Sequence, residues 1–134
     1  MTRFEILPSA TRIIPDAVLV KKMARHDAKS LALFWAIAQK LQSNDSLPYL
    51  QAARDWAARF SRERPEDIWL AEWVVWLDTS LAQPKALDSM LTFMTSTTQH
   101  AIDMRSSSPF SGVLTTKERT AALLAFERTW REET

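Results

Sequence analysis

The stretch Ile68-Trp69-Leu70-Ala71-Glu72-Trp73-Val74-Val75-Trp76-Leu77 decides how this chain folds. It holds half of the six tryptophans. On a helix, Trp69, Trp73 and Trp76 fall at i, i+4 and i+7 on one face. Leu70, Val74, Leu77 and Leu81 form a second apolar stripe, Ile68 and Val75 a third, and only Glu72 and Asp78 interrupt the cylinder. A helix apolar nearly all round has to be surrounded by protein or lipid. The longest unbroken apolar runs fall far short of the ~20 residues that span a bilayer. The expected surroundings are therefore the other helices of the same chain.

Working outward from this helix, the composition supports an all-α fold. Gly112 is the only glycine in 134 residues, where ordinary usage would place roughly nine. Tight hairpins and phosphate-binding loops depend on glycine, which argues against a β-rich fold and excludes the Gly-rich phosphate loops and dinucleotide fingerprints. Cysteine is absent, which removes disulfides, thiolate metal sites and thiol nucleophiles together. The first residues lack the long apolar core of a signal peptide, and a cytoplasmic location is expected. The length suits one domain, residues 1–134, with a real core.

Residues 1–15, with Pro8 and Pro15, read as an extended arm tacked down by Phe4, Ile6 and Leu7 or by Ile13 and Ile14. A helix is predicted from about Asp16 to His26, burying Leu19, Val20 and Met23, with Asp27 as a cap before the next. That second helix runs to about Gln42, with Leu31, Phe34, Trp35, Ala38 and Leu41 on one stripe. After the polar break 43–46, Ser46 is placed to cap a third helix that buries Tyr49, Ala53, Trp56 and Phe60 and ends at Arg64 and Pro65. Asp55 and Arg59 are spaced for an i,i+4 pair on its wet face. Pro65-Glu66-Asp67 then opens the tryptophan helix, at about 65–80.

A fifth helix begins at Pro84 and carries Leu87, Met90, Leu91, Met94, Ala101 and Ile102 at helical period. Thr95-Ser96-Thr97-Thr98 is poor helix material, and the expectation is one bent helix rather than two. Residues 105–114, containing Ser106-Ser107-Ser108-Pro109 and Gly112, form a loop. Thr115 and Glu118 make a capping box for a final helix that buries Ala122, Leu123, Phe126 and Trp130. The sum is a compact bundle of about six helices, the fourth of them central.

Functional signals are sparse. His100 and Asp103 form an i,i+3 pair, which is half a metal site at most. His26, beside Asp27, reads as a cation at a helix end. Glu72 projects from an apolar helix, and a charge there needs a partner such as Arg54 or Arg59. No serine is coupled to a base. No catalytic, cofactor or metal residue is therefore expected, and the chain reads as a non-enzymatic protein acting through its surfaces: an accessory, adaptor or inhibitor, or a helical subunit of a larger complex. Its partner would be another protein or a second copy of itself, met through Glu66, Trp69, Glu72 and Trp76.

Charge supplies the alternative. Residues 1–65 hold eleven Lys/Arg and six Asp/Glu, for +5, whereas residues 66–134 hold six and ten, for −4. Lys21, Lys22, Arg25 and Lys29 form one basic group, and Arg59, Arg62 and Arg64 form another. Such groups can neutralise phosphates, as in a small subunit of a nucleoprotein complex. Against this, the net charge is only +1, and the helix that would enter a major groove is apolar and acidic. The opposite charges of the two halves can equally attract each other within the fold. A weaker third reading is a ligand pocket beside the tryptophans.

Overall fold

In a computed structural model, residues 23–43 and 45–133 are described. Six helices follow one another: α1 (Arg25–Leu41), α2 (Leu47–Glu63), α3 (Ile68–Ala82), α4 (Pro84–Met94), α5 (Gln99–Arg105) and α6 (Thr116–Glu133). No strand occurs among the described residues. The chain is thus a compact all-α domain, and the tryptophan helix is α3. The extended arm and most of the helix expected from Asp16 lie outside the described residues, as do Lys21 and Lys22.

The tryptophan helix lies at the centre of the larger core. It packs against α2, α4 and α5, and its Leu70, Trp73 and Leu77 are fully buried. Trp73 meets an aromatic ring from three other parts of the chain. Phe34 of α1 stacks at 6.5 Å, Phe93 of α4 stands edge-on at 6.1 Å, and Phe110 of the 106–115 loop stands edge-on at 5.1 Å. Its indole N–H donates to the carbonyl of Met104 at 2.8 Å. A buried indole thus has its polar atom satisfied, which makes its large apolar area usable in a core. Leu50, Ala53 and Ala57 of α2 and Met90, Leu91 and Met94 of α4 complete this core.

A smaller core lies between α1 and α6. There Phe126 fits against Ala28, Leu31 and Ala32, with Trp35 and Trp130 at its edge. The two helices run antiparallel and are pinned at both ends: Arg25 pairs with Glu127, and Lys40 with Glu118 at 2.7 Å. The expected capping box forms in full. The Thr115 amide donates to Glu118 Oε1 at 2.8 Å, and the Glu118 amide to Thr115 Oγ1 at 3.1 Å.

Several expectations are corrected. No helix reaches His26 from the N-terminal side, because Ala24 is extended (φ −61°, ψ 146°) and its carbonyl opens α1. Asp27 is therefore a first-turn acid at the positive end of α1 rather than a cap. His26 lies at that same end, in contact with Asp27 at 3.0 Å, and not at a helix C-terminus. Pro65 and Glu66 form a turn, and Asp67 is the cap, accepting from the amides of Trp69 and Leu70. Ser46 precedes α2 but makes no side-chain cap bond. The buried stripe of α2 is Leu50, Ala53 and Ala57, leaving Tyr49, Trp56 and Phe60 half-buried. Trp35, like Trp56, is half-buried rather than core. Arg59 pairs with Glu63, not Asp55.

The helix expected to bend at 95–98 is two helices. The Thr95 hydroxyl donates to the carbonyls of Leu91 and Thr92, which competes with the backbone and ends α4. Thr98 restarts the chain as a cap, its Oγ1 accepting from the Ala101 amide at 3.2 Å.

Candidate protein-docking face

The α3 helix leaves one edge open. Coverage by α2, α4 and α5 falls on Leu70, Trp73 and Leu77, so residues on the opposite stripe stay in contact with solvent. Ile68 is 63% exposed and Val75 64%. Two of the tryptophans, Trp69 and Trp76, lie between the covered and open sides and are half-buried. The third apolar stripe read from the sequence is therefore real, but no described part of the chain covers it.

Three further side chains organise this edge. Trp76 stacks on Phe93 of α4, with ring centres 5.0 Å apart and planes at 13°. Phe93 in turn meets the His100 ring of α5 at 5.3 Å, and Trp69 stands edge-on to His100 at 5.4 Å. Between the two tryptophans, His100 Nε2 contacts Glu72 Oε2 at 2.6 Å. Three helices thus contribute to one continuous strip of aromatic rings crossed by a carboxylate–imidazole bond. The bond fixes the His100 ring between Trp69 and Phe93, and it satisfies a carboxylate that would otherwise be costly beside so much apolar surface.

Of the residues expected to meet a partner, Trp69, Glu72 and Trp76 come together here. Glu66 stands exposed in the turn that precedes Asp67. The expected partner of Glu72 is corrected: neither Arg54 nor Arg59 reaches it, because Arg54 binds Asp78 at 2.7 Å and Arg59 is held by Glu63. The His100–Asp103 metal pair also dissolves. Asp103 accepts from Gln99 Nε2 at 2.9 Å while His100 turns to Glu72. Among the described residues no three acidic or histidine side chains gather as metal ligands. Phe93 and the role of His100 were not read from the sequence. Phe93 sits one position off the α4 core stripe, and that offset was the available signal.

The site lies in an acidic part of the chain. Residues 66–103 carry six Asp/Glu and a single Lys, Lys85. A carboxylate-oriented imidazole is also the base half of an acyl-transfer site. Among the described residues, however, the one hydrogen bond that His100 makes is to Glu72, and no hydroxyl is coupled to it.

The basic groups are distributed differently. Arg25 is committed to α6, paired with Glu127 and lying over the Phe126 ring at 5.4 Å. Arg59 and Arg64 close around the Phe60 ring at 5.0 and 4.8 Å at the end of α2, with Arg62 exposed on the same turns. Lys29 is half-buried on α1. No helix among the described residues is long and apolar enough to cross a membrane. Comparison of the chain with family models, with curated proteins and with solved structures gives no match.

Proposed function

We propose that this chain is a non-enzymatic adaptor that docks a basic, apolar-faced segment of a partner protein along the open edge of α3. The observation that carries the reading is the exposure of Ile68 and Val75 beside the half-buried Trp69, Trp76 and Phe93. Large aromatic anchors next to an uncovered apolar strip are the composition of an interface centre. The six acids against one lysine over residues 66–103 select the sign of the partner. An amphipathic helix with a basic rim fits both properties.

A synthetic 18-residue Leu/Lys amphipathic helix is the probe, titrated into the full chain and followed by tryptophan emission. Saturable binding is expected, weakening with salt and falling about tenfold or more in Val75→Asp and in Ile68→Asp. Both substitutions sit on exposed positions, so unchanged melting verifies the fold. Absence of saturation, or equal binding by both variants, overturns the reading. A dimer of the free chain that Val75→Asp dissociates would also overturn it, assigning the face to a second copy.

A further inference from the structure

A recess of about 140 Å³ lies between α2 and the 106–115 loop, and no charged side chain lines it. Ala53 of α2 and Val113 of the loop, both 3% exposed, form its floor. Tyr49 and Trp56 are its half-buried walls, and Ala52 and Gly112 lie on its exposed rim. Positions 49, 52, 53 and 56 fall at i, i+3, i+4 and i+7, on one face of a helix. Two rings two turns apart with only alanines between them leave a gap that α2 itself cannot fill. Both walls are held in place. The Lys40 ammonium lies 4.7 Å from the Tyr49 ring centre, and Trp56 meets Phe60 one turn further along α2, with ring centres 4.2 Å apart. The backbone at Gly112 is not left-handed and a Cβ built there meets nothing within 4 Å, so the fold does not require the chain's one glycine. Its missing side chain leaves the rim uncovered at that point.

A cavity of roughly 150 Å³ suffices for a benzene ring. Two aromatic walls favour a planar ring, which can stack on one and stand edge-on to the other. An ionised ligand would lose hydration here without gaining a partner. The cations nearby are already paired, Lys40 with Glu118 and Arg59 with Glu63. A cationic ligand would also meet the Lys40 ammonium on Tyr49. We infer that this recess is a binding site for a small neutral molecule of a single aromatic ring, seated over Ala53 between Tyr49 and Trp56. Because both walls are fixed before the ligand arrives, little ordering opposes binding. None of the lining residues belongs to the α3 edge, so the site does not depend on the docking proposal.

Titration of the isotope-labelled full chain with phenol, followed by amide and indole NMR resonances, tests it beside benzoate and cyclohexanol. The amide of Gly112, the one glycine, and the indole N–H of Trp56 are the reporters. Phenol should shift both along one saturating curve and raise the melting temperature. Benzoate brings an unpaired charge and cyclohexanol cannot stack, so each should bind about tenfold more weakly or not at all. Trp56→Leu keeps an apolar wall but loses the ring, and should weaken phenol by about tenfold. Ala52→Asp changes an exposed rim position and should weaken it by about tenfold as well, which keeps the test decisive if Trp56→Leu does not fold. No saturation by phenol, shifts centred on Trp69 and Val75 instead, equal affinity for benzoate or cyclohexanol, or indifference to Ala52→Asp would each overturn the assignment.

Discussion

Trp73 shows how much one side chain holds together. Its ring touches aromatic residues of α1, α4 and the 106–115 loop, and its N–H satisfies the Met104 carbonyl at the end of α5. Truncation and polar loss are separable here. Trp73→Ala opens a large cavity and should destabilise by about 3–5 kcal/mol. Trp73→Phe keeps most of the apolar volume and removes the indole hydrogen bond, while the Met104 carbonyl still accepts from the Ser107 amide at 3.1 Å, so the lost bond should cost about 1 kcal/mol. Urea titrations of both variants check the order, and a Trp73→Phe variant as stable as wild type would mean that the hydrogen bond contributes nothing. Gly112 is the opposite case. Although it is the only glycine, a Cβ built on it meets nothing within 4 Å, and its φ is not in the left-handed region. Gly112→Ala should therefore stabilise by about 0.5 kcal/mol by restricting the unfolded chain. A measurable loss in the same titration would show that the loop needs glycine's freedom after all.

At the scale of elements, what the sequence made legible was whatever repeats along a helix. Of the α1 stripe read as Leu31, Phe34, Trp35, Ala38 and Leu41, all but Trp35 are buried, and the Thr115–Glu118 capping box forms with both reciprocal bonds. The box carries a pH signature. Lys40 Nζ, and next the Thr115 amide, hold the Glu118 carboxyl below its ordinary 4.5. A carboxylate depressed in the folded state contributes its full stability above about 4.5 and loses it as pH falls through the lower folded value. Wild type should thus lose more melting temperature than Glu118→Gln between about pH 5 and about pH 3, and parallel curves would refute the linkage. The illegible features depend on contacts across the fold. Thr95 is compatible with either a bend or a break, and the outcome turned on its hydroxyl reaching Leu91 and on Arg105 bonding Met94 and Ser96. Phe110 and Val113 sit in a loop with no periodicity, yet both are core residues. The open edge of α3 was half legible: Trp69, Glu72 and Trp76 share a face by spacing alone, whereas His100 joins them from 28 residues away.

For the whole molecule, the charge divide between the two halves closes partly inside the fold. Arg25–Glu127, Lys40–Glu118 and Arg54–Asp78 each join a base of the first half to an acid of the second. Two of these pairs clamp α6 to α1. Exposed pairs of this kind contribute only tenths of a kcal/mol to about 1 kcal/mol each, so the hold on α6 rests mainly on Phe126 and Ala122. Among the described helices α6 shares the small core with α1 only, while α3 is covered by three helices in the large one. Stability should follow this division. In native-state hydrogen exchange, amides of α6 around Ala122–Phe126 should exchange through a partial opening of lower free energy than those around Trp73 in α3. Phe126→Ala removes the main apolar anchor, a change that costs about 3–5 kcal/mol when fully felt. It should speed exchange throughout α6 while the α3 amides keep most of their protection, and near-UV dichroism from Trp73 should survive. Uniform acceleration of both helices by the same free energy would show instead that α1 transmits the loss, and that the two cores unfold as one unit.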